Sequence, residues 1–142
     1  MNNYINMVQQ YSITLPEFDR GFHIITNYIE SKLSNLPKVG LVNIFIQHTS
    51  AALAINENAD PTVREDLENI MNNMIPENMH YYKHTLEGSD DMPAHVKSSL
   101  FGQSITIPIT NGSLALGIWQ GIYLCEFRNF GGSRKIIITV YS

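Results

Sequence analysis

The run Ile136-Ile137-Ile138-Thr139-Val140 constrains the fold more than any other stretch of the chain. Successive side chains of a strand point to opposite faces, so β-branched residues apolar on both faces need cover on both. The run therefore predicts a central, covered strand over Lys135–Tyr141. With 142 residues, 44% of them hydrophobic and 15% charged, the chain has material for that cover and is read as one domain, 1–142.

The rest of the pattern supplies partners for that strand. Residues 4–14 carry β-branched and aromatic side chains up to Pro16 and predict a first strand. Phe18, Phe22, Ile25, Ile29 and Leu33 recur at helical spacing and predict a helix from Glu17 to Leu33, with His23 off its apolar stripe and facing solvent or a helix neighbour. Leu41–His48 alternates, with Val42, Ile44, Ile46 and His48 on one face. Asp60-Pro61 combines a capping carboxylate with a first-turn proline. The stripe Val63, Leu67, Ile70, Met71, Met74 then predicts a helix ended by Pro76, with Asp66 leaning towards its buried side. A further helix runs from Asp91 or Met92 to Leu100, stopped by Gly102. Strands follow at Ser104–Ile109, Leu114–Ile118, Trp119–Arg128 and Lys135–Tyr141, the last two joined as a hairpin by Asn129-Phe130-Gly131-Gly132-Ser133. The expected class is α+β, a sandwich of a mainly antiparallel β-sheet with helices.

Charge and cysteine usage narrow the setting. A net charge of -4 offers no basic surface for nucleic acid. No apolar run approaches the ~18 residues that span a bilayer, and the first residues lack the charged and apolar regions of a signal peptide. The single cysteine, Cys125, lies in an apolar stretch and reads as a buried structural thiol in a reducing, cytoplasmic setting.

Acid–base and ligand chemistry concentrates between residues 48 and 95, where His48, His84 and His95 stand among Glu57, Asp66, Glu87, Asp90 and Asp91. Their spacing matches neither a zinc finger nor HExxH, yet strand ends and loops are where site groups converge. Asp91 and His95, four apart, share a helix face. Gly131-Gly132-Ser133-Arg134 reads either as a plain turn or as a phosphate cradle completed by an Arg fork. Trp119-Gln120 reads either as core or as a platform for a flat ring.

Five strings stand in one order over nearly the whole chain: Gln47-His48-Thr49-Ser50-Ala51, Asn56 to Arg64, Glu87 to His95, Gly117-Ile118-Trp119-Gln120-Gly121-Ile122, and Gly131-Gly132-Ser133-Arg134. Together they resemble the YjbQ-like family, some members of which are described as secondary thiamine-phosphate synthases. The resemblance implies a compact α+β domain assembled as a homotrimer, with a histidine-centred site able to hold a divalent metal ion, zinc or magnesium. By position, His48, His84 and His95 match the family's three motif histidines, Glu57 and Asp66 its acidic positions, and Arg134 its terminal arginine. Met92 stands where many members have Asn, so position 92 is left out of the site. The implied activity is a transfer, joining hydroxymethylpyrimidine diphosphate to a thiazole phosphate with release of pyrophosphate. The implied partner is thus a small phosphorylated metabolite, with no nucleic acid and no membrane. A metal-dependent phosphate-ester hydrolase and a non-enzymatic metal- or metabolite-binding module remain the alternatives.

Overall fold

Two antiparallel sheets and one helical layer make up the structure, a computed structural model that describes residues 8–142. The elements run β1 (Gln9–Thr14), β2 (Gly21–Ile24), α1 (Thr26–Glu30), β3 (Val39–Ile46), β4 (Ala51–Glu57), α2 (Pro61–Met74), α3 (Asp91–Phe101), β5 (Ser104–Thr110), β6 (Ser113–Leu114), β7 (Gln120–Glu126) and β8 (Lys135–Tyr141). One sheet has the order β1-β8-β3-β5-β6, the other β2-β7-β4. The first residues of the strand expected over 4–14 lie outside the described residues, and the remainder forms β1.

The Ile-rich strand β8 is central, paired antiparallel with β1 on one side and β3 on the other. Ile136, Ile138 and Val140 point inward against Val42, Ile44 and Ile46 of β3 and against Leu53, Ile122 and Leu124 of the second sheet. Removing this much apolar side chain from water contributes about 1.5–3 kcal/mol per residue. On the outer face Thr139 is still buried and accepts a 3.0 Å bond from Gln10 Nε2. The smaller sheet is covered on both faces: the large sheet lies on one, and α2 and α3 on the other, around Phe22, Ala52, Met71, Ala94, Tyr123, Cys125 and Phe127. Cys125 is fully buried, and burial pushes its thiol far above the ordinary value, in line with a structural role. No helix among the described residues is long and apolar enough to cross a membrane.

Three expectations are corrected. Residues 17–33 do not form one helix; Gly21, at φ +139, starts edge strand β2, and only Thr26–Glu30 is helical. The apolar residues that suggested a continuous stripe are divided between the two cores, Phe22 entering one and Ile25 and Ile29 the other. His23 consequently sits in β2, half-buried, its Nε2 2.6 Å from the Asp19 carbonyl oxygen.

The second correction concerns the rotation of α2. The cap works as expected, Asp60 Oδ1 accepting from Thr62 N–H at 2.9 Å. The face turned inward, however, carries Arg64, Leu67, Glu68, Met71, Asn72 and Ile75, while Ile70 and Met74 are exposed. Polar partners account for the offset. Arg20 pairs with Glu68 and donates to Asn72 Oδ1 at 2.7 Å, and the fully buried Lys97 donates to the same oxygen at 2.7 Å. Asp66 is thereby turned out to solvent, not towards the core.

The third correction is that β7 and β8 do not form a hairpin. They belong to different sheets, so residues 127–134 cross from one sheet to the other. The strand expected over Leu114–Ile118 is reduced to β6, and Trp119 is 61% exposed rather than core.

Candidate metal centre

At the first turn of α3, Asp91 and His95 share a helix face and meet His84, which comes from the segment between α2 and α3. His84 Nε2 lies 2.6 Å from Asp91 Oδ2, and His95 Nε2 lies 3.1 Å from the same oxygen. The two imidazole centroids are 5.2 Å apart. The three side chains offer ligand atoms that all lie within 4.8 Å of one another.

His95 and Asp91 are also fixed from behind. His95 Nδ1 is 3.0 Å from the Thr49 carbonyl oxygen in the corner between β3 and β4. A carbonyl only accepts, so Nδ1 donates to it, and Nε2 on the opposite edge of the ring is the atom turned to Asp91. The other Asp91 oxygen, Oδ1, accepts from Arg128 Nη1 at 2.6 Å. Arg128, just beyond β7, also donates through Nε to Asp90 Oδ2 at 2.9 Å and through Nη2 to the Glu87 carbonyl at 2.9 Å. Asp90 Oδ2 accepts from the Asn129 N–H as well. One guanidinium thus ties the start of α3 to the preceding loop and to the exit of the smaller sheet.

The electrostatics favour an ionised carboxylate at the centre. Burial alone would push the Asp91 carboxyl up, but the His84 hydrogen bond, the Arg128 charge and His95 outweigh it and hold it below the ordinary carboxylate range. For Asp90, burial is likewise overcome by the Asn129 N–H and Arg128.

Two imidazole nitrogens and one carboxylate oxygen form a donor set that suits zinc and its first-row neighbours, whereas magnesium favours oxygen ligands and retained water. A tetrahedral ion with bonds of about 2.0–2.2 Å separates its ligand atoms by roughly 3.3–3.6 Å. Reaching that spacing takes side-chain movement on the order of an ångström, chiefly an opening of the 2.6 Å His84–Asp91 contact. The residues present therefore fit such an ion, and the backing of His95 by a carbonyl and of Asp91 by an arginine is the outer arrangement that orients metal ligands.

Of the six residues expected at the site, the structure brings together two, His84 and His95. His48 is not in the trio: its Nε2 accepts the Lys135 backbone N–H at 2.8 Å, so the lone pair that would have bound an ion is used. It does line an open cleft with His95, a volume of about 400 Å³ bounded also by Phe45, Gln47, Ser99 and Gln103. Burial, then the Arg134 charge and that of Lys135, hold the His48 imidazole below its ordinary value against the opposing Glu126.

Arg134 is buried and donates from Nε to Glu126 Oε2 at 2.6 Å and from Nη2 to Glu126 Oε1 and to Ser50. Its fork closes an internal ion pair and is not open to a phosphate. Gly131 belongs to the same arrangement, because a Cβ at that position would collide with the Glu126 carboxylate. Glu57 lies at the opposite end of β4, roughly 20 Å from the Ala51 end at about 3.4 Å per residue. There it accepts from the Asp60 N–H at 3.3 Å and borders a separate depression with Trp119. Asp66 faces solvent on α2.

The trio contains one ligand that the sequence reading did not assign, Asp91, although its i,i+4 spacing to His95 was the signal for it. Arg128 carried no such signal because its partners Asp90 and Asp91 are remote in sequence, and Glu126 carried none because the stretch linking it to Arg134 reads as a turn.

Fold and site together define a two-sheet α+β protein with a candidate His₂Asp metal centre at the N-terminus of its last helix. Residues 11–142 match the family described as UPF0047 protein YjbQ-like. The chain belongs to this YjbQ-like UPF0047 family. It is 52% identical to the UPF0047 protein YjbQ of Salmonella typhimurium over 136 residues, covering 94% of this chain and 98% of that protein. The YjbQ protein of Escherichia coli O157:H7 is 47% identical with the same coverage. Among solved structures, a conserved hypothetical protein of Thermus thermophilus superposes with a TM-score of 0.80 at 34% identity, covering 90% of this chain and 97% of that one.

Proposed function

We propose that the chain is a metal-dependent enzyme acting on a small phosphorylated metabolite, with His84, Asp91 and His95 holding a zinc-class ion. The reaction we assign is the secondary thiamine-phosphate synthase transfer, in which the thiazole phosphate's ring nitrogen bonds to the pyrimidine's methylene carbon as the bond to pyrophosphate breaks and pyrophosphate leaves. The observation that carries this reading is the convergence of two imidazole nitrogens and a buried carboxylate. A divalent ion held there would stabilise the negative charge that develops on the departing pyrophosphate. The chain's own contribution is positioning. The Thr49 carbonyl fixes the His95 tautomer, and Arg128 holds Asp91 ionised and aimed. The neutral His48 keeps its remaining proton on Nδ1, at the wall of the adjoining cleft. Asp66, Glu57 and Arg134 take no direct part, for the reasons of exposure, distance and internal pairing given above. A cytoplasmic setting belongs to this reading and is supported by the buried lone thiol.

The test has two parts. Purified wild-type protein is expected to hold about one zinc-class ion per chain by elemental analysis. His84→Ala, His95→Ala and Asp91→Asn should lose it, and His48→Ala should keep it. The loaded wild type should then release pyrophosphate and form thiamine phosphate from the two substrates, and the three ligand variants should not. A three-ligand set also leaves a coordination position for water, which favours phosphate-ester hydrolysis as the second reading. Release of inorganic phosphate from simple esters, without coupling, would establish that instead. Metal uptake with neither turnover would leave a binding module.

The reading includes a homotrimer, supported by the uncovered outer face of the larger sheet, where Val39, Leu41 and Tyr141 are 71%, 46% and 45% exposed. Light scattering should give three times the chain mass over a wide concentration range, and a monomer mass throughout would overturn it.

A further inference from the structure

We propose that the cleft beside His95 binds a flat, uncharged nitrogen heterocycle, stacked on Phe45 and read along its edge by the carboxamides of Gln47 and Gln103. The identification of that ring as the pyrimidine of the substrate rests on the proposed function; the binding property rests on the cleft itself.

Four observations lead to this. The first is size: about 400 Å³, open to solvent, is room for one small ring system and falls within the usual range for metabolite pockets. The second is an aromatic wall. Phe45 lies on the outer face of β3, its neighbours Ile44 and Ile46 point into the core, and its side chain remains 44% exposed. An uncovered ring of this kind supplies a stacking surface, and π-systems prefer another flat ring offset over their face.

The third observation is charge. No Lys, Arg, Asp or Glu side chain lines the cleft. Of its two histidines, His48 has its Nε2 engaged by Lys135, and burial together with Arg134 and Lys135 favours the neutral ring over Glu126's opposing pull. A phosphate lodged here would have no counter-charge, so the anionic part of a ligand belongs at the metal centre and the neutral part in the cleft. The remaining polar residues are Gln47, Thr49, Ser98, Ser99 and Gln103; the Ser98 hydroxyl is engaged by the Ala51 carbonyl, and each carboxamide offers both donors and an acceptor. Gln103 is oriented by its own donor bond, Nε2 to the Ser98 carbonyl at 3.3 Å, which leaves Oε1 as an acceptor. Donor and acceptor side by side match the edge of an aminopyrimidine better than that of a ring with a single acceptor nitrogen.

The fourth observation is the link to the chemistry. His95 belongs to both places, with its Nδ1 edge bonded to Thr49 in the cleft wall and its Nε2 edge facing Asp91 and His84. A ring in the cleft is therefore separated from the ligand trio by the width of one imidazole. A diphosphate carried on a short arm from that ring would reach the ion.

The experiment uses 4-amino-2-methylpyrimidine and pyrophosphate as separate probes, titrated into zinc-loaded and zinc-stripped protein and followed by backbone amide NMR shifts. The aminopyrimidine is expected to shift the Gln47, Thr49, Ser99 and Gln103 amides in both forms. Phe45→Leu, which keeps apolar bulk without a π face, should weaken it about fivefold, the scale of an aromatic pair. Gln103→Ala should weaken it as well. Pyrophosphate should shift residues around Asp91 only in the loaded protein and should not compete for the cleft. Absence of aminopyrimidine shifts in the wild type, or equal affinity in wild type and Phe45→Leu, overturns the inference while leaving the metal-dependent reading standing. Loss of zinc uptake with the aminopyrimidine shifts retained overturns the proposed function and leaves the subsite in place.

Discussion

Arg128 and Arg134 flank the same glycine-rich crossover, yet their forks serve different ends. The Arg134 fork is spent on Glu126, and both side chains are withdrawn from water. Removing one member of a buried pair leaves the other uncompensated, so Glu126→Ala should cost about 3–5 kcal/mol, read as a lower denaturation midpoint with metal uptake per folded chain unchanged. The Arg128 fork instead steadies Asp91. Arg128→Lys keeps the charge but loses the planar geometry, and should weaken zinc binding about 10–100-fold in a calorimetric titration with little change in thermal stability. His48 supplies a pH dependence. Its folded-state value is lowered, so its contribution is complete above the ordinary imidazole value of about 6.5 and is lost as pH falls below that. Wild-type stability should therefore drop between pH 7 and pH 5 more steeply than that of His48→Gln, as measured by denaturant midpoints at each pH.

At the scale of elements, what the sequence made legible was what local pattern decides. The strand alternation of β3, the Asp60-Pro61 start of α2, the Asp91 start of α3 and the central place of β8 all follow from neighbours a few residues apart, whereas the outer face of β8 is left partly open. What it hid was set by remote partners. The apolar spacing of residues 18–33 is compatible with a helix, and only the pairing of β2 with β7 makes its centre a strand. The inward face of α2 is chosen by Arg20 and Lys97, which lie far from it in sequence. The glycine-rich stretch after β7 has the composition of a hairpin turn, but the Glu126–Arg134 pair carries it across to the other sheet. The site divides in the same way: His84 and His95 could be picked out as ligands by residue type, whereas the exclusion of His48 depends on a backbone N–H from β8. The segment between α2 and α3 has no regular secondary structure and delivers His84 alone to the trio. Zinc should therefore slow amide exchange from Tyr82 to Gly88 by local clamping, and His84→Ala should abolish that protection while leaving β8 unaffected.

For the molecule as a whole, layering decides which surfaces are available. The smaller sheet is enclosed by helices and by its larger partner, and the ligand trio lies where the helical layer meets the corner between β3 and β4. The larger sheet is closed by β8, which lies between β1 and β3, and the contact between Gln10 and Thr139 spans 129 residues. That wide separation has a consequence in time. While the chain is being synthesised, β1 and β3 have no strand between them, and their apolar edges wait until nearly all of the intervening sequence has emerged. Loop closure over such a distance must precede the contacts that reward it, so refolding from denaturant should take on the order of milliseconds to seconds, and dilution or a holdase should raise its yield.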